Sequence, residues 1–152
     1  MNQVLPYQCT LPDVADTEAF GRELAADLVA GDVVILDGPL GAGKTALARG
    51  IGAGLGVIGR VSSPTFIIAR AHRAGTEGRP GMIHVDAYRL GGLDELDALD
   101  LDTDLDDSVV VVEWGEGVAE RLSRRHLQVR LSRDVDTDER TASYGWVTVQ
   151  SR

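Results

Sequence analysis

Lysine is nearly missing from this chain of 152 residues: of fifteen basic side chains fourteen are arginine, and the one lysine is Lys44. Arginine abundance can follow genome base composition, so the arginines carry no message by number alone. The position that keeps lysine does carry one, because a compact ammonium serves where a planar guanidinium does not. Cysteine occurs once, at Cys9, which excludes an internal disulfide and any cysteine-built metal cage. Cys9 reads as a small buried apolar side chain. No apolar run approaches the roughly 18 residues of a membrane-spanning helix, and Met1 to Pro6 lacks the charged start and apolar stretch of a leader peptide. A soluble cytoplasmic protein is therefore expected. Basic residues are outnumbered by acidic ones, 15 to 24, and the net charge of −9 disfavours tight direct binding to nucleic acid.

What is present suits one compact domain over residues 1–152. Hydrophobic residues make up 43% and charged residues 26%, enough for a stable core. Leu11-Pro12-Asp13 reads as a turn. Apolar residues from Ala19 to Val29 recur at helical spacing, which predicts a helix over about Thr17 to Ala30, capped by Asp16 or Thr17 and stopped by Gly31. Val33-Val34-Ile35-Leu36 is a β-branched run buried on both faces, as in a parallel sheet. A helix is predicted from Thr45 to Leu55. Strand-like runs at Phe66–Ala71 and Met82–Tyr88 flank the polar segment His72–Gly81, as in a β-hairpin.

Asp94 to Asp107 interleaves carboxylates with leucines and reads as short amphipathic helices, either a solvated face or a docking surface. Val109 to Val112 is a second buried strand, ending at Glu113-Trp114. A short helix over Val118–Leu122 and strands at His126–Leu131 and Ser143–Val149 complete the pattern. The mixture predicts an α/β, three-layer P-loop NTPase-like sandwich with a mixed, partly parallel sheet.

The chemistry concentrates in Gly38-Pro39-Leu40-Gly41-Ala42-Gly43-Lys44-Thr45, a full match to the Walker A phosphate loop between a strand and a helix. Its glycines let successive N–H groups face phosphates, and the following helix adds its positive N-terminus. Lys44 neutralises the β- and γ-phosphates, and Thr45 offers its hydroxyl to Mg²⁺. Glu113 ends a buried strand, where the ligand crevice of a parallel sheet lies. Asp86 also ends a strand; taken alone it is as readily structural. Thr65, in Ser63-Pro64-Thr65-Phe66, stands where other nucleotide hydrolases carry a γ-phosphate-sensing switch, or it belongs to a Pro-bent strand entry.

Taken in order, Leu11-Pro12-Asp13, Gly41-Ala42-Gly43-Lys44-Thr45, Ser63-Pro64-Thr65-Phe66, His84-Val85-Asp86-Ala87-Tyr88-Arg89-Leu90 and Glu113-Trp114 resemble the TsaE (YjeE) family. These are bacterial ATPases needed to make threonylcarbamoyladenosine in tRNAs that read codons beginning with adenosine. The resemblance implies a mixed-sheet P-loop fold, weak intrinsic ATP hydrolysis, and a complex with TsaD and TsaB that ATP turnover resets. It implies that Thr45 and Glu113 bind Mg²⁺, and that Leu40, Gly41, Ala42, Gly43 and Lys44 hold the phosphates of ATP. Asp86 then stands by the γ-phosphate, Thr65 acts as the switch, and Val14 borders the adenine. Trp114 packs over the site or into the core.

The main rival is a small-molecule kinase, whose arginine-bearing lid would be the segment holding Arg73 and Arg79. The guanine-reading Asn-Lys-x-Asp element of a GTPase switch cannot occur, since Asn2 is the only asparagine and Lys44 the only lysine, which ranks that reading below the kinase. A binding module without catalysis is the third reading.

Overall fold

The fold is seen in a computed structural model that describes residues 5–39, 41–58, 69–75, 78–86, 107–113 and 125–148, with backbone alone for 69, 70 and 86. Nine elements follow one another: β1 Tyr7–Leu11, α1 Val14–Ala25, β2 Val33–Asp37, α2 Lys44–Leu55, β3 Ala69–His72, β4 Gly81–Asp86, β5 Ser108–Glu113, β6 Arg125–Arg133 and β7 Arg140–Thr148. The seven strands form one mixed sheet in the order β1-β7-β6-β2-β5-β4-β3. Its centre, β6-β2-β5-β4, is parallel, while β7 joins β6, and β3 joins β4, in antiparallel fashion. The α/β fold with a partly parallel sheet is thus as the sequence indicates.

The valine-rich runs of β2 and β5 sit at the centre because every side chain in them is apolar. Val34, Leu36, Val109 and Val111 share one cluster with Phe20 of α1 and Leu47 and Ile51 of α2. Val33, Ile35, Val110 and Val112, pointing the other way, are also fully buried. One helical layer is described; the short helices expected over Asp94–Asp107 and Val118–Leu122 fall, but for Asp107 itself, outside the described residues.

Several boundaries differ from the sequence reading. The first helix begins three residues early, because Asp13 and Asp16 form a reciprocal capping box: each side chain accepts the other's backbone N–H. The hydrogen bond from the Asp16 N–H, before all other causes, holds the Asp13 carboxyl below the usual carboxylate range, so this cap contributes above that range and is lost as pH falls through the lowered value. The helix also ends at Ala25 rather than Ala30. Leu28 is fully buried from the turn that follows, which prolongs the apolar periodicity past the last helical residue. The strand β1 has no counterpart in the sequence reading, which gives only a turn at Leu11-Pro12-Asp13. Cys9 within it is half-buried, and burial pushes its thiol pKa up. The final strands run to nine residues each and meet in a hairpin.

The two helices pack side by side with their N-termini at the same end, held partly by Arg49 donating to Glu18 at 2.8 Å. They approach through Gly50, where a Cβ would lie 2.2 Å from the carbonyl oxygen of Glu18. Gly50→Ala is expected to force the helices apart and cost about 1–3 kcal/mol, a fall in Tm of roughly 3–10 °C. An unchanged thermal melt would show that the seam yields freely.

Candidate functional site

The loop after β2 opens at the carboxyl ends of the parallel strands. Asp37, the last residue of β2, accepts a bond from Gln128 of β6 at 2.5 Å, tying the start of the loop to the neighbouring strand. Gly43 is the N-cap of α2 with φ 102°, a left-handed conformation suited to glycine. Gly43 has no side chain to cap this helix and no acid occupies the first turn, so among the described residues its leading N–H groups and dipole are available to an anion.

Lys44 is buried, and its Nζ donates to the carbonyls of Gly38 at 2.7 Å and Pro39 at 3.0 Å. The ammonium is therefore held over the loop by the loop's own backbone. Thr45 donates through Oγ1 to Glu113, 3.2 Å from Oε2 and 3.4 Å from Oε1. A hydroxyl at the start of α2 and a carboxylate at the end of β5 are thereby brought within the span of one small cation.

Glu113 is itself fixed from behind. His84 of β4, fully buried, places Nε2 2.5 Å from Glu113 Oε2. An ionised carboxylate can only accept, so that ring nitrogen carries the hydrogen. The other ring nitrogen, Nδ1, is buried without a partner among the described residues. Asp86 lies directly opposite Glu113 in the parallel register of β4 and β5. Leu40, Thr65 and Trp114 lie outside the described residues. Val14, half exposed, opens α1 at the same end of the helix pair as the loop, because Thr17 one turn on lies beside Gly43.

His84 was missed by the sequence reading. The available signal was its spacing: His84 and Asp86 are two apart in a strand, hence on one face.

The kinase lid fails on geometry. Arg79 donates to the carbonyl of Ala25 at the C-terminus of α1, and the carbonyl of Arg73 receives Ile58 N beyond the end of α2. Both arginines lie at the amino-terminal ends of the parallel strands, the opposite end from the loop. A separate open hollow of about 290 Å³ beside Tyr7, Leu24 and Trp146 also lies at that far end. Among the described residues, no helix is long and apolar enough to cross a membrane.

Comparison with known proteins accords with this geometry. The family described as "Threonylcarbamoyl adenosine biosynthesis protein TsaE" matches residues 11–142. The tRNA threonylcarbamoyladenosine biosynthesis protein TsaE of Mycobacterium tuberculosis is 58% identical over 143 residues, covering 90% of this chain and 85% of that protein. Its namesake from Bacillus subtilis is 37% identical over 130 residues, covering 85% of this chain and 78% of that protein. The crystal structure of Bacillus subtilis YdiB superposes with a TM-score of 0.72 at 29% identity, over 97% of this chain and 89% of that one.

Proposed function

Because the chain belongs to the TsaE family of tRNA threonylcarbamoyladenosine biosynthesis proteins, we propose that it is the ATP-binding and ATP-hydrolysing component of that modification machinery, working with TsaD and TsaB. The observation that carries the reading is the Thr45–Glu113 bond at the uncapped start of α2. It puts a hydroxyl and a carboxylate beside a phosphate loop, the donor set that Mg²⁺ takes from a protein when phosphate oxygens and waters supply the rest. The donors fit, and Thr45 and Glu113 would hold the ion. Held there, Mg²⁺ would supply positive charge to offset the negative charge of the phosphates.

The remaining work belongs to the chain. The amides of Leu40, Gly41, Ala42 and Gly43 cradle the phosphates, and Lys44 turns its ammonium from the carbonyls of Gly38 and Pro39 toward the β- and γ-oxygens. His84 keeps the Glu113 carboxylate aimed at the loop. Asp86 positions water or the γ-phosphate, Thr65 acts as the γ-phosphate switch, and Val14 borders the adenine.

Turnover by the isolated protein is slow in this reading. Glu113 is engaged by both Thr45 and His84 and is not placed to activate water. The net charge of −9 means that contact with tRNA comes from the partners. Adding a TsaD–TsaB pair from the same organism is expected to raise ATP turnover at least tenfold, and partner-supplied groups in other hydrolases reach about 10³–10⁵-fold. The Thr65→Ala variant should lose that stimulation and keep its ATP affinity. Rapid phosphorylation of a small metabolite by the isolated protein, or tight tRNA binding at physiological salt without partners, would overturn the assignment.

A further inference from the structure

The β6–β7 hairpin brings two arginines to the rim of the phosphate loop. Strand β6 runs parallel to β2, with Arg130 opposite Asp37, so the hairpin tip extends past the same sheet end as the loop. Arg133 and Arg140 are paired across the hairpin. The tip is fixed by Asp134 N donating to Glu139 O and Asp138 N to Asp134 O, both at 2.8 Å.

The two guanidinium groups have different partners. Arg133 is neutralised by an ion pair with Asp138, and one of its terminal nitrogens lies 3.1 Å from the Cβ position at Gly41. Arg140 donates from Nη2 to the carbonyl of Gly41 at 3.2 Å. Among the described residues it has no carboxylate partner, and its Nε is buried with nothing to bond. The Cβ position at Gly43 lies 3.3 Å from Arg140 Cδ, 3.4 Å from Nε and 3.6 Å from Thr17 Cγ2. The side chain thus lies along the N-cap of α2, close to where Thr17 of α1 also approaches it.

The side chain is partly buried, and a buried Nε without a partner among the described residues, on a guanidinium with no carboxylate partner among them, set against the glycine-capped start of α2, calls for an anion. We propose that Arg140 is a nucleotide-holding residue, its guanidinium pairing with the diphosphate part of the nucleotide on the loop while the Gly41 carbonyl keeps it at the rim. The inference rests on the nucleotide reading above. Lys44 and Thr45 serve the β- and γ-phosphates, so Arg140 acts on what ADP and ATP share. It supplies binding charge in cis and changes affinity rather than the partner-stimulated rate.

The test is the affinity of ADP and ATP for the full chain, measured by calorimetry at two salt concentrations. Arg140→Gln keeps a donor for the Gly41 carbonyl and removes the charge. It is expected to weaken both nucleotides by similar factors, roughly 10- to 100-fold, and to flatten the salt dependence. Arg140→Lys should lose less, and covers the case in which the Gln variant does not fold. Unchanged affinity in Arg140→Gln, or equal losses in the Gln and Lys variants, overturns the proposal. Lys44→Ala is the control: if it binds both nucleotides as well as wild type, the nucleotide reading itself fails. If it does not, while Arg140→Gln binds normally, only the role of Arg140 falls.

Discussion

Lys44→Ala is expected to reduce ATP turnover by about 10²-fold or more, the scale on which removing one preorganised charge from a reacting phosphate acts. The loss should appear in nucleotide affinity as well. The ammonium stands 2.7 Å from the Gly38 carbonyl and 3.0 Å from that of Pro39. Because those carbonyls lose a donor in the variant, a moderate drop in stability of about 1–3 kcal/mol accompanies the loss of function. The side chain is therefore not a pure ligand contact. Lys44→Arg should not restore turnover, since a planar fork cannot sit between two loop carbonyls and also reach into the phosphates. Binding of a fluorescent ADP analogue and single-turnover hydrolysis check both variants; normal turnover in either removes the Walker assignment.

Glu113→Ala should separate metal dependence from nucleotide binding. Its carboxylate joins Thr45 to His84, so its removal takes away the acid proposed to hold Mg²⁺ and leaves both ring nitrogens of a fully buried histidine without partners among the described residues. Nucleotide affinity in chelator should stay near wild type, because the loop amides and Lys44 remain. The gain in affinity on adding Mg²⁺ should vanish, and hydrolysis should fall by about 10²-fold or more. Glu113→Ala should also melt lower, by about 1–3 kcal/mol, from the stranded imidazole. A double-mutant cycle with His84→Ala then reads the coupling directly: if His84 acts through Glu113, the two losses will not add. If Mg²⁺ still tightens nucleotide binding in Glu113→Ala, the acid is structural.

Local sequence was sufficient wherever one segment carries its own explanation. The Walker loop, the uniformly apolar runs Val33–Leu36 and Val109–Val112, the acid closing β5 and the helix after the loop are each readable from contiguous residues. Features made by distant partners were not. β1 mixes Tyr7, Gln8, Cys9, Thr10 and Leu11 without clean alternation, and it exists because β7 pairs with it. The start of α1 was obscured because its capping box uses two aspartates rather than a hydroxyl and a glutamate. His84 looked like part of a motif centred on Asp86 until the register placed it beside Val111 and within reach of Glu113. Arg140 was one of fourteen arginines, and only the hairpin carries it to Gly41.

The strand order has a consequence for how the protein is made. β2 carries the phosphate loop, yet its only sheet neighbours are β5 and β6, and β1 waits for β7. On a ribosome adding about 5–20 residues per second, roughly 4–15 s separate the synthesis of Asp37 from that of Glu113. Throughout that interval Val33 to Leu36, wholly buried in the finished sheet, have no strand beside them. The helix pair can form early, but the nucleotide pocket cannot precede the arrival of β5. A nascent chain of this topology is therefore exposed to chaperones and proteases for most of its translation, and nucleotide can stabilise it only near the end.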